Sequence, residues 1–199
     1  MFNPSSLTGF FMSNNKTAIF FLEQFMKAEI AIKAAELAVQ SIGIVETEGK
    51  DNYGEMIKKY LASVDLGEGH PWCAAFLKYI FIKSAGFLDE DLSEGFLSLD
   101  GYTPNWKAFS KKHNIWISVE EAKKDPSIVK KGYPVCFYSA EKERIYHIGI
   151  VISSNESGVL TVEGNTSGGP GVDANGGGVF QKKRSWTALG SQGGFIKVY

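Results

Sequence analysis

The fold is organised around the stretch GHPWCAAFL at residues 69–77, in which a Gly- and Pro-containing turn leads directly into a helical pattern. Beyond the turn, apolar residues recur every three or four positions, which is the period of an α-helix. These residues are Cys73, Phe76, Leu77, Ile80 and Phe81. Gly86 follows at the position of a helix C-cap. The pattern therefore predicts that Cys73 lies in the first turn of a helix.

The predicted position of Cys73 changes what its side chain can do. Backbone N–H groups in the first turn of a helix have no partner within the helix, and together with the helix dipole they stabilise an anion. A thiolate in that place is a strong nucleophile. The alternative is that Cys73 is one more buried apolar residue on an amphipathic helix. The residues described next favour the nucleophile.

The composition fits one globular domain without a dominant charge. The chain has 199 residues, of which 44% are hydrophobic and 13% aromatic, which is enough for one full core. Its 21 basic and 22 acidic residues leave a formal net charge of −1, so no overall field attracts nucleic acid or an anionic membrane. We therefore predict neither a nucleic-acid nor a membrane partner. We also expect a monomer.

The cysteine count and the N-terminus limit the class of protein further. Two cysteines allow at most one disulfide and argue against a disulfide scaffold or a four-cysteine zinc site. Residues 1–26 are predicted to be an N-terminal extension, and residues 27–199 a single domain. There is no recognisable signal peptide, since the apolar run at residues 18–22 is short and ends at Glu23. No stretch reaches membrane-spanning length. These features do not assign a cellular location.

Helical patterns dominate the first half of the chain. A helix is predicted from Thr17 to Ser41, ending before Gly43, and a short one through residues 56–61 with Asn52 as its N-cap. A further helix is predicted to begin at Pro104, and residues 87–103 read as a loop. Ser118 and Glu121 then have the spacing of a capping box ahead of another short helix.

Short β-rich runs separated by turn residues dominate the second half. They are Pro134–Ser139, His147–Ser153, Gly158–Glu163, Gly178–Lys182 and Phe195–Val198. Helices followed by strands predict an α+β fold in which N-terminal helices pack on a C-terminal antiparallel sheet.

Two of these strands are predicted to form a hairpin that gathers polar side chains. If the isoleucines at 148, 150 and 152 pair with Leu160 and Val162, His147 falls on the same face as Glu163 and Asn165. With the turn near residue 155, these residues are direct or diagonal neighbours across the pair. We expect the intervening glycine at position 149 to leave room for a helix end.

Cysteine-based nucleophilic catalysis needs a base within reach of the sulfur and a polar group that orients the base. His147 fits the base, and Glu163 or Asn165 fits the orienting group. Each residue taken alone has an ordinary explanation, as a strand-end histidine or as part of a solvated turn. Their joint occurrence with Cys73 favours a catalytic site.

Four motifs follow one another along the chain: GKDNYG at 49–54, PWCAAF at 71–76, HIGIV at 147–151 and VEGNT at 162–166. Taken in this order, they resemble the CHAP family of cysteine- and histidine-dependent amidohydrolases and peptidases, part of the papain-like NlpC/P60 group. The resemblance continues through NGGGV and a terminal GFI, and covers roughly residues 27–199. One departure is KGYP at 131–134, where the family commonly has a Pro-Gly-Asp turn.

The resemblance implies a papain-like fold and an enzyme that cleaves amide bonds in the stem or cross-bridge peptides of peptidoglycan without a metal or another cofactor. It makes Cys73 the nucleophile, His147 the base and Glu163 the orienting residue, with Asn165 as a further polar member. The relative importance of Glu163 and Asn165 stays open, as does the choice between an amidase and an endopeptidase.

Further donors are needed for the oxyanion that forms when a thiolate attacks a carbonyl. The backbone N–H of Cys73 is one candidate. Asn52 and His70 are candidates for a second donor, and Trp72 is a candidate substrate contact. All three lie in or beside the motifs that carry the resemblance.

Four other readings remain beside this one. Cys73, Cys136, His70 and His147 would make a Cys2His2 zinc set, but their spacing resembles no compact finger, and Cys136 lies in an apolar strand and reads as core. The glycine-rich residues 167–178 lack the ending of a phosphate loop and fit a mobile loop bordering the cleft. The basic run KKR at residues 182–184 reads as a solvated strand end or as an attractor of substrate carboxylates. A non-catalytic wall- or protein-binding module that keeps the same groove is the functional alternative.

Overall fold

The structure, a computed structural model, describes residues 23–87, 99–169 and 176–199. It is an α+β fold in which helices pack on a six-stranded antiparallel sheet. The helices are α1 (residues 23–40), α2 (Glu55–Ala62), α3 (Cys73–Phe87), α4 (Thr103–Lys112) and α5 (Val119–Lys124). The strands are β1 (Trp116–Ser118), β2 (Pro134–Ser139), β3 (Arg144–Asn155), β4 (Gly158–Thr166), β5 (Gly178–Ser185) and β6 (Gly194–Ile196). Short 3-10 turns occupy Pro126–Ile128 and Trp186–Leu189.

The sheet has the strand order β1-β6-β2-β3-β4-β5, and each pair of neighbours is antiparallel. Strands β2 to β5 therefore form a meander, and the C-terminal strand β6 returns to pair with β2. Strand β3 lies in the middle of the meander and is the longest strand. It carries His147 and packs against α3 and α4.

Both faces of the sheet are covered by apolar packing. One face, with Ile148, Ile150 and Val162, packs against helices α1 to α4. The other face, with Val151 and Phe137, packs against residues of α5 and of the last 3-10 turn. Burial of both faces explains why β2 and the first part of β4 are almost continuously apolar rather than alternating.

The helix predictions are confirmed in type and corrected in detail. Helix α3 begins at Cys73 as predicted, but it continues through Gly86 to Phe87, so Gly86 is not its C-cap. Asn52 does not cap α2, because the N-cap is Gly54 and no side chain bonds there. The Ser118 capping box is present. Helix α1 ends before Gly43 as predicted.

Some of the predicted segments lie outside the described residues. They are residues 1–22, which contain the start of the predicted first helix, most of the predicted loop at 87–103, and residues 170–175 of the glycine-rich segment. Residues 23–26, assigned above to the extension, belong to the same helix as residues 27–40. Within the described chain, no helix is both long and apolar enough to span a membrane.

The strand predictions miss β1 and set several ends too early. Strand β1 has three residues and pairs only with β6, so it leaves little periodic signal. In the predicted hairpin, Ile150 does lie opposite Val162, and the turn joins Asn155 to Gly158. A bulge at position 152 then shifts the register, so that Leu160 pairs with Ser153.

Candidate active site

Cys73 is the first residue of α3, and the structure keeps it at the edge of the core. The carbonyl of Trp72 accepts the N–H of Phe76 at 2.8 Å, which makes Trp72 the residue that opens the helix. The N–H of Cys73 is therefore among the first-turn donors that have no acceptor within the helix. The side chain of Cys73 is 4% exposed, and it also lines a cleft.

Two links hold the turn in front of Cys73. The N–H of Gly69 donates to the carbonyl of Asn52 at 3.0 Å, and the N–H of Gly54 donates to Glu68 Oε1 at 3.0 Å. Asn52 itself lies in the left-handed region, with φ 63°, a conformation that asparagine tolerates better than most residues. The GKDNYG motif therefore serves to fix the entry into α3.

Trp72 anchors the helix start from inside. Its ring is fully buried, stacks on Tyr60 with centroids 5.7 Å apart, and meets Phe76 edge-on. Its indole N–H donates to Glu46 Oε1 at 2.7 Å. Trp72 is thus not available to touch a substrate, and its assignment as a substrate contact is wrong because its ring and its only donor are already used.

His147 is fully buried near the start of β3. Its Nε2 lies 2.9 Å from Glu163 Oε2, and its ring packs against Phe137 with centroids 5.3 Å apart. The pairing of β2 with β3 has a bulge next to His147. Phe137 pairs with His147, but the next residue of β2, Tyr138, pairs with Ile145, so Tyr146 is the extra residue of the bulge. Bulges of this kind re-aim side chains beside functional sites.

The glycine between the isoleucines makes room for the carboxylate rather than for a helix end. A Cβ at Gly149 would lie 2.6 Å from Glu163 Cγ. The close approach of α3 occurs instead at Gly164, where a Cβ would lie 2.8 Å from atoms of Phe76 and Trp72. Two residues of the VEGNT motif therefore have separate roles. Glu163 supplies a buried carboxylate, and Gly164 allows helix α3 to pack closely against β4.

Every favourable position on the Glu163 carboxylate is occupied. Oε1 accepts from Arg184 Nε at 2.8 Å and from Thr161 Oγ1 at 2.6 Å. Oε2 accepts from Arg184 Nη2 at 2.6 Å and pairs with His147. Arg184 is 3% exposed and binds the carboxylate with two parallel bonds. The orientation of Glu163, and through it that of the imidazole, is therefore fixed from three sides.

This network also sets the charges of the site. Burial alone would raise the pKa of Glu163, but hydrogen bonds from Arg184 and His147 and their positive charges lower it to about 2. Burial alone would lower the pKa of His147, but hydrogen bonding with the Cys73 thiol and with Glu163 raises it to about 9. At neutral pH, Glu163 is therefore a carboxylate and His147 an imidazolium.

The second ring nitrogen of His147 is the one left for Cys73. Nδ1 is buried and makes no hydrogen bond of good geometry within the described residues, while Nε2 is taken by Glu163. The Cys73 thiol is the group that, together with Glu163, holds the pKa of His147 high, so the sulfur and the imidazole lie within reach of each other.

Asn165 follows Glu163 by two residues, but the pairing of β4 with β5 shifts register between Glu163 and Thr166, so the strand alternation is interrupted there. Asn165 is fully buried, and its backbone lies in the left-handed region with φ 56°. Its carbonyl accepts the N–H of Gly176 at 3.3 Å. The structure thus brings Glu163 to the histidine through a direct bond and places Asn165 at the end of the strand beside it.

A cleft of about 870 Å³ opens at the N-terminus of α3 and reaches Cys73. His70 and Pro71 form one side, and the residues around Thr103 form another, where Thr103 Oγ1 donates to the carbonyl of Ile145 at 2.8 Å. His70 lines the same cleft as Cys73 and stays a candidate for the second oxyanion donor. Asn52 does not line the cleft. It acts on the site through its backbone carbonyl, which accepts the N–H of Gly69 in the turn before α3.

The basic run at 182–184 is not a solvated strand end. Lys182 and Arg184 are buried, and only Lys183 is exposed. The Lys182 ammonium donates to the carbonyls of Ser167 and Gly169. Arg184 is the site residue that sequence reasoning missed. Period-two alternation extended past residue 182 would have placed it on the same face as Glu163, because Glu163 pairs with Phe180.

Within the described chain, no group of three or more His, Cys, Asp or Glu side chains lies close enough together to hold a metal ion. Cys136 is a fully buried free cysteine in the core, as predicted, and burial raises the pKa of its thiol well above the usual range. The two cysteines are therefore unequal, since only Cys73 lines the cleft.

Comparisons with protein-family models, with curated proteins and with solved structures found no match in any of the three. The geometry of the site itself is a cysteine, a histidine and a carboxylate arranged beside a cleft, formed by Cys73, His147 and Glu163.

Proposed function

We propose that this protein is a cysteine-dependent amide hydrolase that cleaves peptide bonds of peptidoglycan through a thioester intermediate. The observation that carries the proposal is the chain of contacts from the cleft to Arg184, with Cys73 at the helix start, His147 next to it and Glu163 behind the histidine. Each neighbour has the chemistry that a cysteine nucleophile needs.

The reaction begins with the proton of the Cys73 thiol transferred to His147, which leaves a thiolate and an imidazolium. The Cys73 sulfur attacks the amide carbonyl, a C–S bond forms, and the carbonyl π electrons move to oxygen. We assign the stabilisation of this oxyanion to the N–H of Cys73 and to His70, which lines the same cleft. Collapse breaks the C–N bond while His147 gives its proton to the leaving amine.

Hydrolysis of the thioester then restores the enzyme. His147 takes a proton from water as the water oxygen attacks the thioester carbonyl, and the C–S bond breaks to release a carboxylic acid. Glu163 stays ionised throughout, since its pKa lies at about 2. It stabilises the imidazolium and holds the ring, a role in which charge and orientation act together.

The cell-wall substrate comes from the resemblance to the CHAP family, and the cleft supports it by its size. A volume of about 870 Å³ falls within the range of sites that take a small ligand or a short peptide. The papain-like fold belongs to this same proposal. It is supported by a cysteine helix packed on an antiparallel sheet that carries the histidine.

The test is mass spectrometry of purified peptidoglycan fragments after incubation with the protein. New termini in the stem or cross-bridge would support an endopeptidase, and a freed lactyl carboxyl group would support an amidase. The matched control is Cys73→Ser, which we expect to yield intact fragments. Intact fragments from several wall types with the unaltered protein would contradict the proposal and favour the non-catalytic binding module.

A further inference from the structure

The β2–β3 turn places two basic side chains on the wall of the cleft that reaches Cys73. Lys142 and Arg144 both line this cleft. The Lys142 ammonium lies 5.7 Å from the centroid of the Tyr146 ring, and the Arg144 guanidinium lies 5.7 Å from the centroid of the Tyr102 ring. Tyr102 and Tyr146 also line the cleft. Such contacts hold a cation in place without neutralising its charge.

The positive charges of Lys142 and Arg144 are not neutralised by an ion pair with any described residue. No described carboxylate forms an ion pair with either Lys142 or Arg144. The guanidinium makes one long hydrogen bond, 3.4 Å, to the carbonyl of Ile145. Most of its donors thus face solvent or the cleft, and an arginine fork matches a carboxylate.

Two carboxylates share the cleft, and they differ in how they are engaged. Asp100 accepts from the N–H of Tyr102 at 2.9 Å and from the Asn105 amide at 3.0 and 3.1 Å, so its oxygens are occupied. Glu141 lies on the same turn as Lys142 and forms no ion pair with a described residue. The cleft therefore has balanced formal charge, and its selectivity depends on where the donors are held.

We infer that Lys142 and Arg144 form a carboxylate-binding subsite, and that the substrates of the cleft are peptides with a free carboxylate close to the scissile amide. The inference rests on the proposed function and narrows its substrate class. Arg144 supplies two parallel donors, and its stacking on Tyr102 reduces the conformational freedom lost on binding. Lys142 adds a single-point charge.

Binding to Cys73→Ala protein tests the subsite without requiring turnover. The probes are N-acetylated L-Ala-γ-D-Glu-L-Lys carboxamide with a free glutamate α-carboxylate, and the same peptide with that group as a carboxamide. Titration calorimetry should show the carboxylate form binding about 10-fold more tightly, the gain expected from one charge-assisted hydrogen-bond pair. Adding Arg144→Gln should remove most of this preference, and adding Lys142→Gln a smaller part.

Glu141→Gln on the same turn is the matched control, and it should keep or increase the preference, since it removes a negative charge. Equal affinity for the two peptides, no binding of either, or a preference unchanged by both Arg144→Gln and Lys142→Gln would overturn the subsite. If the preference behaves as expected but the unaltered protein cuts neither peptide nor peptidoglycan, the subsite stands and the hydrolase proposal fails.

Discussion

Two pairs of basic residues have the same sequence spacing and opposite environments. Lys182 and Arg184 on β5 are buried, and their donors go to backbone carbonyls and to Glu163. Lys142 in the β2–β3 turn and Arg144 at the start of β3 line an open cleft and lie over tyrosine rings. A buried charge needs a partner of fixed geometry, whereas an exposed one does not.

The comparison shows that the residue type did not decide the role. In the buried pair, Arg184 acts through Glu163 on the histidine and is a positioning residue. In the cleft pair, the side-chain N–H groups of Lys142 and Arg144 can bind a ligand. The experiments below separate the two pairs by their effects on stability, on pH dependence and on rate.

The largest effect is expected for Arg184→Gln. This change removes the two-bond guanidinium partner of the buried Glu163 carboxylate and leaves it paired only with His147 among the described residues. Removing one partner of a buried ion pair costs about 3–5 kcal/mol of unfolding free energy. Lys183→Gln removes the same charge from the exposed side of the same strand and should stay within about 0.5 kcal/mol of the unaltered protein. Urea unfolding measures both. Equal, small losses would contradict the buried role of Arg184.

Glu163→Gln should lower turnover by about 10²- to 10⁴-fold, the range of general acid–base effects. The change also removes the charge that favours the imidazolium. Activity needs a protonated His147 for the leaving amine, so it should fall as pH rises through about 9 in the unaltered protein. In Glu163→Gln this limb of the kcat/KM profile should move to lower pH. An unmoved limb would assign the orienting role to Asn165.

Gly149→Ala should have a smaller effect on stability, about 1–3 kcal/mol, because the new methyl group overpacks the site. The clash is with Glu163 Cγ and with the carbonyl of Val162, so the carboxylate must shift from His147 and activity should fall. Gly67→Ala is the control, since a Cβ there meets nothing within 4 Å. Full activity in Gly149→Ala would show that the carboxylate position is not critical.

The smallest effect on stability is expected for Arg144→Gln, within about 0.5 kcal/mol, since the side chain is exposed and its cation–π contact contributes little. Its Tm should match that of the unaltered protein. A loss comparable to that of Arg184→Gln would mean that the cleft pair is structural, and the contrast between the two pairs would disappear.

The parts of the site that follow from local periodicity could be predicted from the sequence. The three- and four-residue spacing after Cys73 gives the helix start, and two-residue alternation on β3 and β4 brings His147 to Glu163. Both depend only on backbone geometry. The α+β order follows in the same way from helices preceding strands.

The remaining features depend on tertiary contacts that the local pattern does not contain. The sequence predicts a solvated Arg184 because the predicted β5 ends at Lys182, and only the neighbouring strand shows that position 184 faces Glu163. It predicts Trp72 as a substrate contact because nothing in the segment around Trp72 shows that Glu46, far away in sequence, accepts the indole N–H. The roles of both residues depend on partners that are distant in sequence.

The central claim is that Cys73 is a nucleophile because of its pairing with His147. The most direct measurement is the rate of alkylation by iodoacetamide at neutral pH, with peptide mass spectrometry to resolve Cys73 from Cys136. We expect rapid modification of Cys73, none of the buried Cys136 in the folded protein, and a large fall in the Cys73 rate in His147→Ala. An equal Cys73 rate in the unaltered protein and in His147→Ala would contradict the account.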